Sequence, residues 1–292
     1  MASIVSSFVS QVASYFQALP EAEDSQADKI IERMLAAPTD VKIVEELFQH
    51  YQDTKQFCLA LKTHFRILSL SDRQSRLSFS LNSSKSLGKD ENIKGKTIVV
   101  TSRMGKEETL IAIRFFKQLW EKKPQKILLL PLRPHREFFK SVLQGQRLVE
   151  VIDGEPQEYD FHIPLSMLSQ WLRVDFKQLK KTPYLQLDQS KKREKPRVGV
   201  MVKDLQIEGG ELIEEKIDAI RTYDVLVVEE GPWAHIAGAM GIKTLVLLSE
   251  KPSFWWDDNI LYDSVTTVRD WKKNQIQLCQ LVKEKMDGPE TS

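Results

Sequence analysis

The turn Glu229, Glu230, Gly231, Pro232 is where the residue types of this chain offer ligand chemistry most directly. It stands between an apolar run, DVLVV, and a helix-forming run that starts at Trp233. Helix N–H groups without intrahelical partners therefore open onto it, and such groups bind anions. Pro232 suits the first helical position, where a missing N–H costs nothing, and Gly231 leaves a backbone N–H unscreened by a side chain. The segment Phe254, Trp255, Trp256, Asp257, Asp258 sets aromatic planes beside carboxylates. That composition either stacks on and hydrogen-bonds a sugar or base, or packs in a core or against a partner. Arg133, His135 and Arg136 form a small basic patch that reads as a solvated face. Glu107 and Glu108 open a helix, where carboxylates complement its dipole.

These groups sit on a pattern of strands alternating with helices, which implies parallel sheet. Asp224–Val228 and Lys243–Leu248 read as strands covered on both faces, with a helix from Trp233 to Met240 between them and Gly241 as a left-handed cap. In open sheets of this kind ligands collect outside the carboxyl ends of the strands. A first layer runs through a strand at Lys96–Thr101, a helix at Glu107–Glu121, a strand at Lys126–Leu130, a helix at His135–Leu143 and a strand at Leu148–Ile152. A second layer starts with the strand RVGVMV at Arg197, continues with a helix at Gly210–Arg221 and ends in the unit around Gly231; a last helix spans Trp271–Lys285.

The 292 residues suffice for two domains, and 42 basic against 41 acidic side chains give no global attraction to nucleic acid or to anionic membrane. Cys58 and Cys279 stand far apart with no CxxC and no histidine cluster, which suits a reducing, cytoplasmic compartment and argues against a zinc site. Ser3–Leu19 lacks a basic n-region and places Val5, Phe8, Val12 and Phe16 at helical spacing, so it reads as an amphipathic helix docking on this protein or on a partner. No run is long enough to span a bilayer. The chain up to Leu81 is helical in pattern, and Ser71–Asn92 reads as a polar linker. Within the helical part, Pro38–Asp72 resembles one tetratricopeptide repeat: Leu47, Tyr51, Phe57 and Ala60 fall on consensus positions, whereas Phe48, His64 and Asp72 depart from them.

Two segments carry a wider resemblance. FHIPLSMLSQWL from Phe161, followed by Pro183, Tyr184 and Leu185, and AHIAGAMG from Ala234 to Gly241 are similar to stretches of bacterial tetratricopeptide-repeat proteins with a heptosyltransferase-like (glycosyltransferase family 9-like) domain. The resemblance implies an α/β fold of two Rossmann-like layers, GT-B-like with a shortened C-terminal layer, behind a small helical region. The expected divisions are 1–81 helical, 82–93 linker, 94–190 N-terminal Rossmann-like domain with the interdomain connection, and 191–292 C-terminal domain. The implied activity is sugar transfer from a nucleotide sugar to a protein or glycan hydroxyl in the interdomain cleft, with no metal or other cofactor.

Carried onto this sequence, the resemblance makes Glu108 the base, in the place of an aspartate, and puts Gly105, Thr109, Lys203, Glu230, Gly231 and His235 at the donor, with Trp255 and Trp256 as possible stacking rings. It also exposes departures. Arg103 replaces an acid, Glu107 a glycine, Glu230 and Gly231 an Asp-Thr pair, and a basic segment with a strand and helix is missing between Lys203 and Tyr223. Carboxylates beside a diphosphate repel it. The alternative is therefore a catalytically inactive module of the same fold with a protein-interaction or structural role, the N-terminal helices and the aromatic cluster around Trp255 and Trp256 being its contact surfaces.

Overall fold

The computed structural model describes residues 24–74, 81–146, 149–179, 181–185, 196–203, 205–257, 259 and 261–287. The segment Ser3–Leu19 lies outside these residues, as does most of 191–196, the charged stretch that reads in the sequence as the interdomain connection. Helices α1 (Ser25–Ala36), α2 (Val41–Asp53) and α3 (Phe57–Gln74) come first. The Asp24 carboxylate accepts the Ala27 N–H and the Asp40 carboxylate accepts the Lys42 N–H, so α1 and α2 each begin on an acidic cap. Residues 54–56 join α2 to α3, which pack on each other as a hairpin through Leu47, Tyr51, Ala60 and Leu61.

The first α/β unit contains β1 (Thr97–Ser102), α4 (Lys106–Ile113), α5 (Phe116–Glu121), β2 (Lys126–Pro131), α6 (Arg136–Leu143), β3 (Glu150–Val151), β4 (Phe161–Pro164) and α7 (Leu165–Trp171). Its four strands are parallel in the order β3-β2-β1-β4, with Val99 level with Leu128 on one side and His162 on the other. The helix expected over Glu107–Glu121 breaks at Arg114 and Phe115. Phe115 and Phe116 are consecutive and both buried, and the chain tightens there, the Phe115 N–H bonding to Ala112 O, so that each ring reaches the interior. The stretch from Phe161 that carries the resemblance supplies β4 and α7. Pro164 ends β4 at the sheet edge, where its missing N–H removes no ladder bond. The described part of the expected linker is also docked: Ser86 bridges His162, the Leu87 N–H bonds to His162 O, and the Trp171 indole donates to Gly88 O.

The second unit contains β5 (Val198–Val200), β6 (Gly210–Leu212), α8 (Ile217–Ile220), β7 (Val225–Glu229), α9 (Pro232–Met240), β8 (Lys243–Leu247), α10 (Phe254–Asp257), β9 (Val265–Val268) and α11 (Gln275–Asp287). All five strands are parallel, ordered β6-β5-β7-β8-β9. The helix expected over Gly210–Arg221 is a strand followed by one helical turn. Gly209 at φ 74° redirects the chain, and the Ile213 N–H extends the ladder to Val200 O. The five strands exceed the three expected, β6 and β9 being the additions. In each sheet the chain reverses direction beside its first strand, at β1/β4 and at β5/β7, the places where doubly wound sheets open a ligand crevice. No helix among the described residues is long and apolar enough to cross a membrane.

One apolar core runs from the helical hairpin through the first unit into α9 and Tyr262. Phe65 of α3 meets Phe115 and Phe176, while Phe48 and His64 meet Phe254 and Trp255 of α10. His64 stands where the repeat resemblance expects an aromatic ring. Burial drives its pKa down to about 4 from the ordinary 6.5. An unfolded chain therefore takes up a proton that the folded chain refuses as pH falls from 6.5 towards 4, and stability declines across that window and is level above it. The full window is worth on the order of 3 kcal/mol. We expect His64→Phe to lose less of its urea midpoint than the wild type over this interval; parallel curves would show that His64 is not the titrating group.

Candidate functional site

Helices α4 and α9 begin at the carboxyl ends of the two central strands β1 and β7, and they pack directly on one another. Gly231 makes the second of these turns possible. Its φ of 143° is open to glycine and strained for any L side chain, and it lets Pro232 start α9 immediately. Every residue from Ala234 to Met240 is buried. Gly241, left-handed at φ 75°, closes the helix as the spacing predicts.

The two segments that carry the family resemblance touch here. The Tyr184 and Leu185 N–H groups both donate to Ala239 O at 2.9 and 3.0 Å. A Cβ on Gly241 would lie 2.4 Å from Pro183 Cγ, so this glycine is required by contact as well as by conformation.

His235 is the centre of the seam, with no exposed surface. Its Nε2 stands 3.3 Å from Glu107 Oε2 on α4, off hydrogen-bond alignment. Its Nδ1 is 3.0 Å from the Tyr262 hydroxyl, and the Trp256 ring lies 4.5 Å away, tilted by 31°. Tyr262 approaches the Tyr184 hydroxyl at 3.2 Å, and Tyr184 donates to Leu110 O at 2.9 Å. The carboxylate of Glu107 beside Nε2 favours the proton on that nitrogen, with Nδ1 accepting from Tyr262; the other tautomer, Nδ1–H donating to Tyr262 and Tyr262 to Tyr184, fills the hydroxyl line instead. Burial holds the His235 pKa below the ordinary value, Arg114 lowers it further and Glu107 opposes both, so the ring is neutral. Burial likewise raises the Tyr262 hydroxyl well above 10. Carboxylate, imidazole and hydroxyl in line have the form of a proton relay, but this hydroxyl keeps its proton and faces no solvent.

Chemistry is equally committed at the first switch point. The Asp72 carboxylate, at the end of α3, accepts a short hydrogen bond from the Ser166 hydroxyl just beyond β4. Arg103, just beyond β1, donates to Asp72 O at 2.8 Å. Burial raises the Asp72 pKa, with the serine bond and Arg103 opposing. Two departures from the resemblances, Asp72 and Arg103, are thus partners in one contact that seats the helical region over the β1/β4 crevice.

Neither a protein-family model nor a curated protein matches this chain.

The candidate residues divide accordingly. Thr109 is fully buried and its hydroxyl bonds to Ser102 Oγ at 2.7 Å. The two Glu230 oxygens accept the N–H groups of Ser249 and Ser253, so this carboxylate holds the loop after β8. Trp256 is fully buried and Trp255 nearly so, which makes both rings core. Lys203 is exposed beyond β5, and no described bond ties it to the others. Gly105 caps α4, and Glu108 folds back over it, with Oε2 2.5 Å from the position of a Cβ at Gly105. Glu108 and Lys106 are half-buried and lie near enough to His135 to affect its ionisation. Lys106 also covers the Phe138 ring, which meets Trp233 of the second unit edge-on.

Residue types alone pointed to none of Tyr262, Arg114 or Ser166. A signal for the first existed in Gly238, a glycine inside a helix, where such a residue costs stability unless something packs close. A Cβ there would sit 2.5 Å from Tyr262 Cγ. Gly238→Ala is expected to destabilise by about 2 kcal/mol despite its better helix propensity. Gly154→Ala, with nothing within 4 Å of its Cβ, should stay within about 0.5 kcal/mol of wild type in the same urea titration. Equal effects would mean that the Tyr262 ring does not seat on Gly238.

Proposed function

We propose that this chain is a GT-B-like fold whose interdomain site has become a packed seam, and that it acts as a non-transferring module that binds a protein partner. The observation that carries the reading is the burial of His235, the residue that the resemblance would aim at a phosphate or an acceptor. Its imidazole is occupied by Glu107, Tyr262 and Trp256 and has no exposed surface. A nucleoside diphosphate brought to the Gly231 turn also meets Glu229, exposed, and Glu230, whose oxygens already hold two backbone N–H groups. Releasing those bonds and opposing like charges both act against binding. The docked α1–α3 region offers the partner-facing surface in this reading.

The transferase reading keeps one observation in its favour. Glu108, the candidate base, retains a half-buried carboxylate at the carboxyl end of β1 beside Lys106 and His135. In that reading Lys203, Gly231, Glu230 and His235 line the donor site for a nucleotide sugar. Isothermal titration of the full chain with nucleoside diphosphates and a panel of nucleotide sugars separates the two. The module reading expects no saturable binding tighter than about 1 mM. Saturable binding, together with a sugar transfer that Glu108→Gln abolishes in a folded protein, would establish the transferase.

A further inference from the structure

Behind the seam, a cavity of about 660 Å³ opens between the α4/α5 break, the segment after α7 and the Thr182–Tyr184 stretch. Its size is within the range of small-molecule sites, and all of its lining comes from the first unit and the Thr182–Tyr184 stretch. Four cationic side chains line it, Arg114, Lys117, Lys122 and Arg173, against two carboxylates, Glu121 and Asp175. Arg173 is paired with Asp90 and Lys122 lies over the Trp171 ring, whereas exposed Lys117 has no described partner.

Arg114 is the unusual member. It is 7% exposed, and no carboxylate pairs with it among the described residues. Its guanidinium lies over the Tyr184 and Tyr262 rings at 5.2 and 5.3 Å, Nη2 donates a long bond of 3.4 Å to Leu261 O, and the group also interacts with the Tyr262 hydroxyl. Nε and Nη1 are closed off from solvent and find no acceptor. Two aromatic faces offset part of the cost of burying this charge. A buried cation with neither counter-ion nor full hydrogen bonding remains expensive, and an anion in the adjoining cavity would offset that charge through space without bonding the closed-off nitrogens. Phe115, Leu172 and Pro183 add apolar wall.

We propose that this cavity binds a small ligand that carries one carboxylate or phosphate group on an apolar body, drawn in by Arg114 and held at the mouth by Lys117. Because Arg114 stacks on Tyr262, which bonds to His235, occupancy of the cavity is linked to the seam.

Phenyl phosphate, phenylacetate and inorganic phosphate, titrated into the full chain with ligand-observed NMR and calorimetry, test this. One or both aromatic probes should bind saturably, one per chain, and more tightly than inorganic phosphate; the tighter of the two identifies the head group. Arg114→Met and the surface double variant Lys117→Gln/Lys122→Gln should each weaken binding by about tenfold or more. Should Arg114→Met fail to fold, the double variant decides. Absence of saturable binding to either aromatic probe, or unchanged affinity in the double variant, overturns the proposal.

Discussion

A neutral imidazole enclosed between two helix N-terminal turns is the constraint on which the rest of this architecture turns. Burial keeps His235 uncharged, with Nδ1 bonded to Tyr262 from the segment beyond α10 and Nε2 facing Glu107 of the first α/β unit at 3.3 Å. Tyr262 in turn needs a glycine at 238 to receive its ring, and Tyr184 beside it needs the Leu110 carbonyl. Removing Tyr262 leaves the buried Nδ1 of His235 unsatisfied, a cost of about 1–3 kcal/mol. The units are therefore joined by matched polar atoms inside an apolar surround, which fixes their mutual position more narrowly than apolar contact alone.

The same economy governs the positions where a ligand would be expected. Parallel sheets reserve their carboxyl ends for ligands because helix N-termini and loops converge there. Here those ends are spoken for by the chain itself. Asp72 and Arg103 meet at β1/β4, Glu230 organises the loop after β8, and Thr109 bonds within its own turn. Residues that look like losses beside the family pattern are, in the folded chain, gains of internal contact. Glu107 for glycine is the clearest case, since a glycine could not have reached His235.

Legibility in the sequence followed locality. The strands β1, β2, β7 and β8, the helix α9 and the Gly241 cap were readable because apolar runs and turn residues act over a few positions. The Gly210 segment misled because its charged and apolar residues fit a helical period. Gly209 and a free edge beside β5 decided otherwise, and the edge exists only in the assembled sheet. β9, with the sequence VTTV, was β-branched enough to notice but too short to stand out from its surroundings. At the candidate site, His235 and the turn before it were found from their motif, and so was the placement of Tyr184 in its triplet. Tyr262 lies 27 residues beyond His235 with no shared local pattern, and burial of Trp255 and Trp256 depends on a helical hairpin docking from the other end of the chain.

Long-range nitrogen–proton correlation NMR on the imidazoles tests the seam most directly, because chemical shifts of Nδ1 and Nε2 report charge and tautomer separately. The account predicts a His235 that is neutral at pH 7 and titrates below the ordinary 6.5. A His235 that titrates at or above 6.5, as an exposed imidazole does, would contradict a closed seam between the two units.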